Sequence, residues 1–387
     1  MKSKGFHLVW LTILLVILIG CAPKSVPVTA PNQTSPPTIT VTASNLRPTT
    51  SQDVPDKSGQ VAWNKVVEAA QKEQKITIYS YNWVGDTGLD IARAFKNKYG
   101  IEVEVVTGRG AEFLERIKTE RRVRQITADF TEGSPLHILT MKKEGLTMSL
   151  SDLDVLKDAD NFIVAPDRLD PEKNVLVFRI SYMTAWVNSR LVKQSDEPQR
   201  WADLLEPKWK GKMLITDPQI AGTPYQLFTP LIRAGNVNLD FIRALGKQDL
   251  NFLTGEVESG RALSKGDFPL ATTGSNTSLN RFVQEGASIK PVFMEDGTTG
   301  IGGSVGAIKD SPHPNAAKLF GSWLFSQEGQ EVVSKAQQVP MNRKGVRDYS
   351  PPGTELKPKK LVFQTEEDND TANQMFRDKV FSKLWGK

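Results

Sequence analysis

The chain has 387 residues, of which 39% are hydrophobic and 24% are charged, a composition typical of a soluble globular protein. The formal net charge is only +5, and no basic run is interleaved with aromatic residues, so the sequence predicts no nucleic-acid partner. About 330 residues follow the N-terminal region, which are too many for one simple core and indicate two lobes.

The first residues have the pattern of an export signal. Two lysines precede an apolar run from Leu8 to Ile19, which is too short to cross a membrane. Leu18-Ile19-Gly20-Cys21 is similar to a lipobox, in which cleavage leaves Cys21 at the N-terminus for acylation. Cys21 is the only cysteine, so no internal disulfide can form. We predict a signal peptide over residues 1–20 and a lipid on Cys21 that anchors the chain to a membrane; the alternative is a plain signal peptide with an incidental cysteine.

Residues 21–57 are rich in Pro, Thr, Ser and Val and have little apolar periodicity. Such a composition buries too little surface to offset the conformational entropy of the chain. We predict a disordered tether, which lets a globular body reach a partner beside the membrane.

Strands and helices alternate after the tether. KITIYSY (75–81), IEVEVV (101–106) and the short ADF (128–130) are strand-like, and helical patterns separate them. This order indicates a parallel α/β sheet, in which ligands bind beyond the C-terminal ends of the strands. The segments expected to face a ligand cleft are residues 80–83, 107–110 and 132–134.

A second region with the same order lies between Pro198 and Tyr225. Trp201 to Leu205 is predicted as a short helix, and Lys212 to Thr216 as a buried strand. The small residues around Gly222 and Thr223 then begin a helix, whose free backbone N–H groups suit an anion. An ordinary strand-to-helix connection explains the same residues.

Two motifs carry a resemblance to a known family. The segment W-DLL-P-WKGK---DP (201–218) and the segment from Ser311 to Val332, with Pro-Asn-Ala-Ala and Ser-x-Glu-Gly-Gln, are similar to the solute-binding proteins of ABC importers. The similarity is to the ferric-ion-binding type and its relatives for small organic solutes, and it spans roughly Val61 to Val339.

The resemblance implies an extracytoplasmic receptor and not an enzyme, with ABC permease subunits as partners and a monomeric state. It implies the type II periplasmic-binding-protein fold: two lobes, each a mostly parallel sheet flanked by helices, with the ligand cleft between them. The strand-like run at residues 175–187 then crosses from the first lobe to the second. We expect lobe 1 at residues 58–183 and 290–387, closed by an amphipathic tail around Phe376 and Phe381, and lobe 2 at 184–289.

The metal ligands of the ferric-binding relatives can be compared position by position. Those relatives use a His after the first strand, a Glu after the third and a Tyr-Tyr pair after a late strand. Here the His position falls near Trp83 and the Tyr pair on Asn276-Thr277, and only Glu132 matches. We therefore predict no metal site and no cofactor, and an iron carrier that uses Glu132 is the alternative.

Hydrogen-bonding and aromatic residues replace the metal ligands. Tyr81, Asn82 and Trp83 stand in one loop and Thr273, Ser275 and Asn276 in another, a mixture that suits a small polar or anionic organic solute, possibly a zwitterion. Each of these residues also has a purely structural explanation in turns or packing. Gly108-x-Gly110 begins another predicted helix, and with Arg109 beside it as a fixed positive charge it is a second predicted anion site; a solvated arginine is the alternative. The other predicted ligand-binding residues are Glu132, Ser134, Tyr182, Gly222, Thr223 and Tyr225.

One motif suggests an enzyme instead. Gly302-Gly303-Ser304-Val305-Gly306 matches G-x-S-x-G, the nucleophile elbow of α/β-hydrolases, which needs a strand before the serine and a helix after it. Here the glycines precede a strand-like run, and the nearest histidine, His313, lies in a Ser-Pro-His-Pro turn. A glycine-rich bend at the crossing between lobes explains the motif better than a lipid-anchored serine hydrolase.

Overall fold

A computed structural model describes residues 38–40 and 57–386 of the chain, with side chains from residue 63 onwards. The predicted signal peptide, Cys21 and most of the predicted tether lie outside the described residues. Within the tether segment, Thr38–Thr40 forms a short strand that pairs antiparallel with Glu104–Val106.

The described residues form twelve strands and twelve α-helices, together with short 3-10 helices such as Trp201–Leu205. The strands are β1 Thr38–Thr40, β2 Lys75–Ser80, β3 Glu102–Thr107, β4 Phe130–Gly133, β5 Thr147–Met148, β6 Leu176–Asn188, β7 Met213–Thr216, β8 Asn251–Leu253, β9 Leu270–Ser275, β10 Ile289–Val292, β11 Thr298–Ile308 and β12 Leu361–Phe363. The helices are α1 Lys57–Glu73, α2 Asp86–Tyr99, α3 Gly110–Arg122, α4 Pro135–Lys143, α5 Thr223–Arg233, α6 Leu239–Leu245, α7 Glu256–Lys265, α8 Asn276–Gln284, α9 Pro314–Phe325, α10 Gln327–Gln337, α11 Glu366–Arg377 and α12 Val380–Leu384. Across the described residues, no helix is long and apolar enough to cross a membrane.

All twelve strands belong to one mixed sheet, whose main order is β1-β3-β2-β4-β11-β6-β9-β7-β8. β2 is parallel to β3 and β4, and β7 is parallel to β8 and β9, so each end of the sheet is mostly parallel. The two long strands β6 and β11 run antiparallel in the middle and connect the two ends. β6 is buried along its whole length, as a 13-residue run rich in apolar and β-branched residues requires.

Two large apolar clusters lie at opposite ends of the sheet. The first core contains Trp83, Phe95, Phe178 and Phe320 and packs α1, α2, α9 and α10 against β2, β3 and β4. The second core contains Trp201, Tyr225, Phe228 and Phe381, with the side chains of β7 and β9. β6 contributes to both, so it joins the two cores covalently.

The C-terminal tail belongs to the second core, and the prediction that it closes lobe 1 is wrong. The Phe381 ring stacks on Tyr225 with ring centroids 4.3 Å apart, and Phe376 lies edge-on to the same ring at 5.8 Å. α11 packs along α5. The amphipathic pattern predicted a covered apolar face correctly, but aromatic partners on α5 decide which core covers it.

Two predicted loops are ends of strands instead. Glu132 and Gly133 lie in β4, opposite Val305 and Ser304 of β11. Residues 272–275 continue β9, where Ser275 pairs with Met183 of β6. Pairing with the long central strands therefore extends these shorter strands beyond the apolar runs that the sequence shows.

Candidate functional site

Glu132 organises the loop that follows β2. Its side chain is only 1% exposed. Ser80 Oγ donates a hydrogen bond of 2.7 Å to Oε2, the Asn82 backbone N–H donates to Oε2 at 3.0 Å, and Asn82 Nδ2 donates to Oε1 at 2.7 Å. Ser80 Oγ also accepts from the Trp83 backbone N–H at 2.9 Å. The carboxylate thus holds the whole loop 80–83 and has most of its acceptor capacity in use.

The aromatic residues of this loop separate into one that is exposed and one that is buried. Tyr81 is 52% exposed, and its backbone N–H donates to the Glu132 carbonyl at 3.1 Å. Trp83 is completely buried and lies edge-on to Phe178 and Phe320 of the first core. Because its ring is enclosed by side chains of the first core, the prediction that Trp83 forms a wall against the ligand is wrong.

Arg179 in β6 is a charged residue that sequence reasoning missed. The residue is only 7% exposed, and Nη1 donates a 2.6 Å hydrogen bond to Ser181 Oγ. Nε finds no hydrogen-bond acceptor among the described residues. Burial lowers the pKa of the guanidinium, and the negative charge of Glu132 opposes that shift. The signal was an arginine inside the otherwise apolar run LVFRISYMTAWV, since a charge in a fully buried strand needs a reason.

A glycine of β11 makes room for this side chain. Gly303 is the cross-strand partner of Arg179, and a Cβ on Gly303 would lie 2.4 Å from both Cγ and Nε of Arg179. The pairing register shifts between Gly303 and Ser304, which is the irregularity of a β-bulge. The glycine-rich run at 302–306 therefore serves close packing between the central strands.

The same run does not form a nucleophile elbow. Ser304 lies in the middle of β11, is completely buried and faces Gly133 and Val177 across the sheet. His313 binds Asp129 instead, with Nδ1 2.9 Å from Oδ2.

Asn276 is a second side-chain amide, after Asn82, and it lies against the central strand β6 on the side of the second core. It is the first residue of α8 and is completely buried. Its Oδ1 accepts from the Tyr182 backbone N–H at 3.1 Å, while Nδ2 has no acceptor among residues 63–386. Because Tyr182 follows Ser181, Asn276 binds the β6 backbone one residue beyond Ser181. We call Glu132, Arg179, Ser181 and Asn276 the central polar cluster.

Ser275 and Thr273, which precede Asn276 in the chain, make hydrogen bonds to other residues on the side of the second core. Ser275 caps α8 by accepting from the Ser278 backbone N–H at 3.4 Å, and it donates to Glu256 Oε2 at 2.6 Å. Thr273 Oγ1 accepts from the Thr216 backbone N–H at 3.4 Å. Ser275 is partly exposed and Thr273 is completely buried, so Ser275 is the better placed of the two to reach a solute.

Two predicted tyrosines are core residues. Tyr182 is completely buried, donates from its hydroxyl to the Thr354 carbonyl at 2.6 Å and packs edge-on against Phe293. Tyr225 is completely buried in the second core, where its hydroxyl accepts from the Phe381 backbone N–H at 3.3 Å. The prediction that these side chains touch a ligand is wrong for both.

The two predicted anion sites at helix starts differ. At the start of α3, the Arg109 side chain is 83% exposed, and the Arg109 backbone N–H donates to Glu112 Oε2 at 3.2 Å. A Cβ on Gly110 would lie 2.3 Å from the His137 ring, so this start is already covered.

The start of α5 is open by comparison. Gly222 is its N-cap, Thr223 its first residue, and nothing described lies within 4 Å of a Cβ on Gly222. Ser134, the N-cap of α4, is half-buried and makes no capping side-chain bond to a described residue.

Metal binding finds little support in this donor set. In the part of the chain that the structure describes, no three His, Cys, Asp or Glu side chains stand together as metal ligands would. Glu132, the single position that matches the ferric-binding pattern, already accepts hydrogen bonds from Ser80 and Asn82.

Residues 90–364 match the family model of the bacterial extracellular solute-binding protein. The chain belongs to this family. The family and its relatives are binding proteins of transporters, so the chain is the solute-binding protein of an ABC importer, which delivers its ligand to permease subunits, and not an enzyme.

Curated relatives of this solute-binding protein include one from Salmonella paratyphi A that carries the provisional name 2-aminoethylphosphonate-binding periplasmic protein. It is 25% identical over 278 residues, which are 68% of this chain and 77% of the relative. A spermidine/putrescine-binding periplasmic protein of Escherichia coli is 29% identical over 157 residues, 39% of this chain and 43% of that protein. An uncharacterised Haemophilus influenzae protein is 30% identical over 142 residues, and the match spans 36% of this chain and 40% of that relative's length.

Solved structures confirm the predicted fold. A Trichodesmium protein in complex with iron and citrate superposes with a TM-score of 0.66 at 20% identity, covering 81% of this chain and 99% of that one. The ferric iron-binding protein A of Mannheimia haemolytica, in an open conformation, gives 0.65 at 15% identity over 81% and 99%. At these identities the similarity establishes the type II periplasmic-binding-protein fold and nothing about the ligand.

Proposed function

We propose that this solute-binding protein captures a small polar organic solute between two lobes, one built around each core, and presents the closed form to its permease. The observation that carries the proposal is the central polar cluster, which lies on and beside the two strands that join the cores. A solute there contacts both lobes at once, so binding energy goes directly into closure.

The contacts available to such a solute come from both sides of the junction. Loop 80–83 contributes the partly exposed Asn82 and Tyr81, held in place by Glu132. The second-core side contributes Ser275, Asn276 and the open start of α5 at Gly222 and Thr223. Closure excludes water from these polar groups, which strengthens each hydrogen bond to the solute. This mixture of oriented amides and hydroxyls favours an organic molecule over a bare metal ion.

The names of the relatives narrow the candidates to 2-aminoethylphosphonate, polyamines such as putrescine, and ferric citrate. A small zwitterion fits the cluster best, because the Arg179 guanidinium suits an oxyanion and the negative charge of Glu132 favours a nearby ammonium without direct contact. An iron carrier would need further anionic oxygen ligands beside Glu132, and no such group stands among the described residues.

The deciding experiment is native mass spectrometry of the purified full-length protein, followed by calorimetric titration with 2-aminoethylphosphonate, putrescine and ferric citrate. We expect an organic solute to co-purify and ferric citrate not to bind. Ferric binding that disappears in Glu132→Gln would establish the iron carrier instead. Protein that retains no small molecule and binds none of the three compounds would contradict the proposed function.

The receptor is proposed to be lipid-anchored on the outer side of a membrane through Cys21. The support is the lipobox-like sequence before Cys21 and the Pro/Thr/Ser-rich tether after it. One acyl chain binds membranes only marginally, so several chains on Cys21 are expected. Cys21→Ala should abolish incorporation of labelled fatty acid and release the protein from membranes; a variant that stays membrane-bound would rule out the anchor.

A further inference from the structure

We infer that Arg179 is the counter-ion for an oxyanion on the solute, so the ligand is a small organic acid whose carboxylate, phosphonate or phosphate group binds the Arg179 guanidinium. This inference rests on the proposed function and specifies its ligand class. The positive charge that binds the anion is thus assigned to Arg179, on the strand that joins the two cores, and not to Arg109 as the sequence predicted.

The first step is that Arg179 has unused hydrogen-bonding capacity. A guanidinium carries five N–H donors and cannot be deprotonated to relieve its burial. Arg179 is 93% buried, its Nη1 donates to Ser181, and its Nε has no acceptor in the part of the chain that the structure describes. A buried cation with an unpartnered donor destabilises the protein unless an acceptor, and preferably an anion, arrives.

The second step is that Glu132 does not supply this acceptor. It is the carboxylate whose charge acts on Arg179, yet its oxygens accept from Ser80 and Asn82, and the described ion pairs do not include these two residues. Glu132 therefore eases the burial of the positive charge without occupying the guanidinium fork.

The third step is that the neighbouring strands hold the fork in one place. Gly303 leaves the space in which the Arg179 side chain lies, and Ser181 fixes one end of the guanidinium through Nη1. Asn276 Nδ2 adds a second buried donor without an acceptor among the described residues. A planar guanidinium fork held in this way matches the paired oxygens of a carboxylate or phosphonate.

Three probes that share one aminoethyl skeleton isolate the oxyanion. 2-Aminoethylphosphonate and β-alanine carry a phosphonate or a carboxylate, and ethylenediamine replaces either group with a second ammonium. Each is titrated calorimetrically into the full-length protein in detergent, as wild type, Arg179→Met, Arg179→Lys and Arg190→Met. Arg190 is an exposed arginine just beyond the end of the same strand and serves as the matched control.

We expect wild type and Arg190→Met to bind at least one of the two oxyanion probes and not ethylenediamine. Arg179→Met should lower the affinity about 30-fold or more, as removal of one partner of a buried charge pair does. Arg179→Lys should recover part of that loss, because it keeps the charge without the fork. A comparison of the affinities for 2-aminoethylphosphonate and β-alanine then shows whether the site prefers a phosphonate or a carboxylate.

A measurement without ligand separates a binding role from a structural one. If Arg179 is unpaired until an anion binds, Arg179→Met removes an unpaired buried charge from the ligand-free protein. The thermal midpoint of unfolding of the variant should then equal or exceed that of wild type. A variant that melts well below wild type, or fails to fold, would show that Arg179 is structural and would overturn the inference. Unchanged affinity in Arg179→Met, or equally tight binding of ethylenediamine, would overturn it while leaving the proposed function intact.

The two proposals fail in different ways. A co-purified solute without an oxyanion supports the receptor and contradicts the role of Arg179. Wild-type protein that holds no solute and binds no probe contradicts the receptor and the role of Arg179 together.

Discussion

Glu132 and Arg179 are two buried charges of opposite sign close to the same junction, and their surroundings differ. The Glu132 carboxylate accepts three hydrogen bonds from the loop that it organises. The Arg179 guanidinium donates to Ser181 and keeps an Nε–H without an acceptor in the described chain. The difference teaches how to separate structure from binding at a polar junction: a charge whose hydrogen bonds are satisfied within the protein holds the fold, and a buried charge with an unpartnered donor remains available to a ligand.

Glu132→Ala is expected to give the largest effect that tests this distinction. Three hydrogen bonds to a buried carboxylate disappear, and Arg179 loses the negative charge that eases its burial. We expect the free energy of unfolding, measured by urea denaturation, to fall by about 3 kcal/mol or more.

Glu112→Ala is the matched control, since Glu112 is an exposed carboxylate at the start of α3. Its free energy of unfolding should fall by only about 1 kcal/mol, because the exposed side chain loses one capping hydrogen bond from the Arg109 backbone N–H. If Glu132→Ala were as stable as Glu112→Ala but had lost solute affinity, Glu132 would be a ligand and the distinction between the two buried charges would be wrong.

Gly303→Ala tests the other side of the comparison. The added methyl group collides with Cγ and Nε of Arg179, so the guanidinium must move. We expect affinity for 2-aminoethylphosphonate to fall about tenfold, or ~1.4 kcal/mol. In Gly302→Ala the new methyl group meets the Val177 methyls at 3.0 Å instead, so it strains the same strand without moving Arg179. Equal affinity losses in the two variants would show that strand packing, and not the position of Arg179, controls binding.

The fold was largely predictable from sequence because it follows from local patterns. KITIYSY became β2, IEVEVV became β3, and the long apolar run at 175–187 became the crossing strand β6. The tail was placed on the wrong core because amphipathicity indicates only that a face is covered. The stacking of Phe381 on Tyr225, which decides the matter, joins residues 156 positions apart.

The site was less predictable, because the type of a residue does not reveal whether its side chain is buried in the folded protein. Trp83 sits in a polar loop, yet it points into the first core, since Ser80 and Glu132 fix the backbone around it. Arg179 was overlooked because the apolar run around it dominated the pattern. The absence of acceptors for its Nε among the described residues is a three-dimensional property. Only the register of Gly303 against Arg179 reveals why that glycine is needed.

Ser181→Ala sharpens the account of Arg179 with a smaller effect. The hydroxyl accepts the 2.6 Å hydrogen bond from Nη1, so its loss frees the guanidinium to rotate without removing its charge. A net contribution of about 1 kcal/mol predicts an affinity for 2-aminoethylphosphonate that is roughly fivefold lower. Ser264→Ala, which removes a hydroxyl that donates to the Gly260 carbonyl within α7 at 2.7 Å, is the control and should bind normally. An unchanged affinity in Ser181→Ala would mean that the strand alone positions the guanidinium.

The start of α3 provides the smallest test, because the sequence proposed an anion site where the structure has a covered helix end. His137 packs over Gly110, and burial lowers its pKa from the ordinary 6.5. The unfolded chain therefore takes up the proton at a higher pH than the folded protein does. The contribution of His137 to stability is complete above pH 6.5 and is lost as the pH falls toward the folded pKa.

Urea unfolding between pH 7.5 and 5.5 should show a steeper loss of stability in wild type than in His137→Gln. Calorimetry at pH 7.5 should give the same solute affinity for both proteins, since His137 covers this helix start and Glu112 already accepts the hydrogen bond of the Arg109 N–H that precedes it. A marked affinity loss in His137→Gln would place the ligand at the start of α3. It would contradict the conclusion that Arg179, with its unpartnered Nε, is the group that binds the ligand.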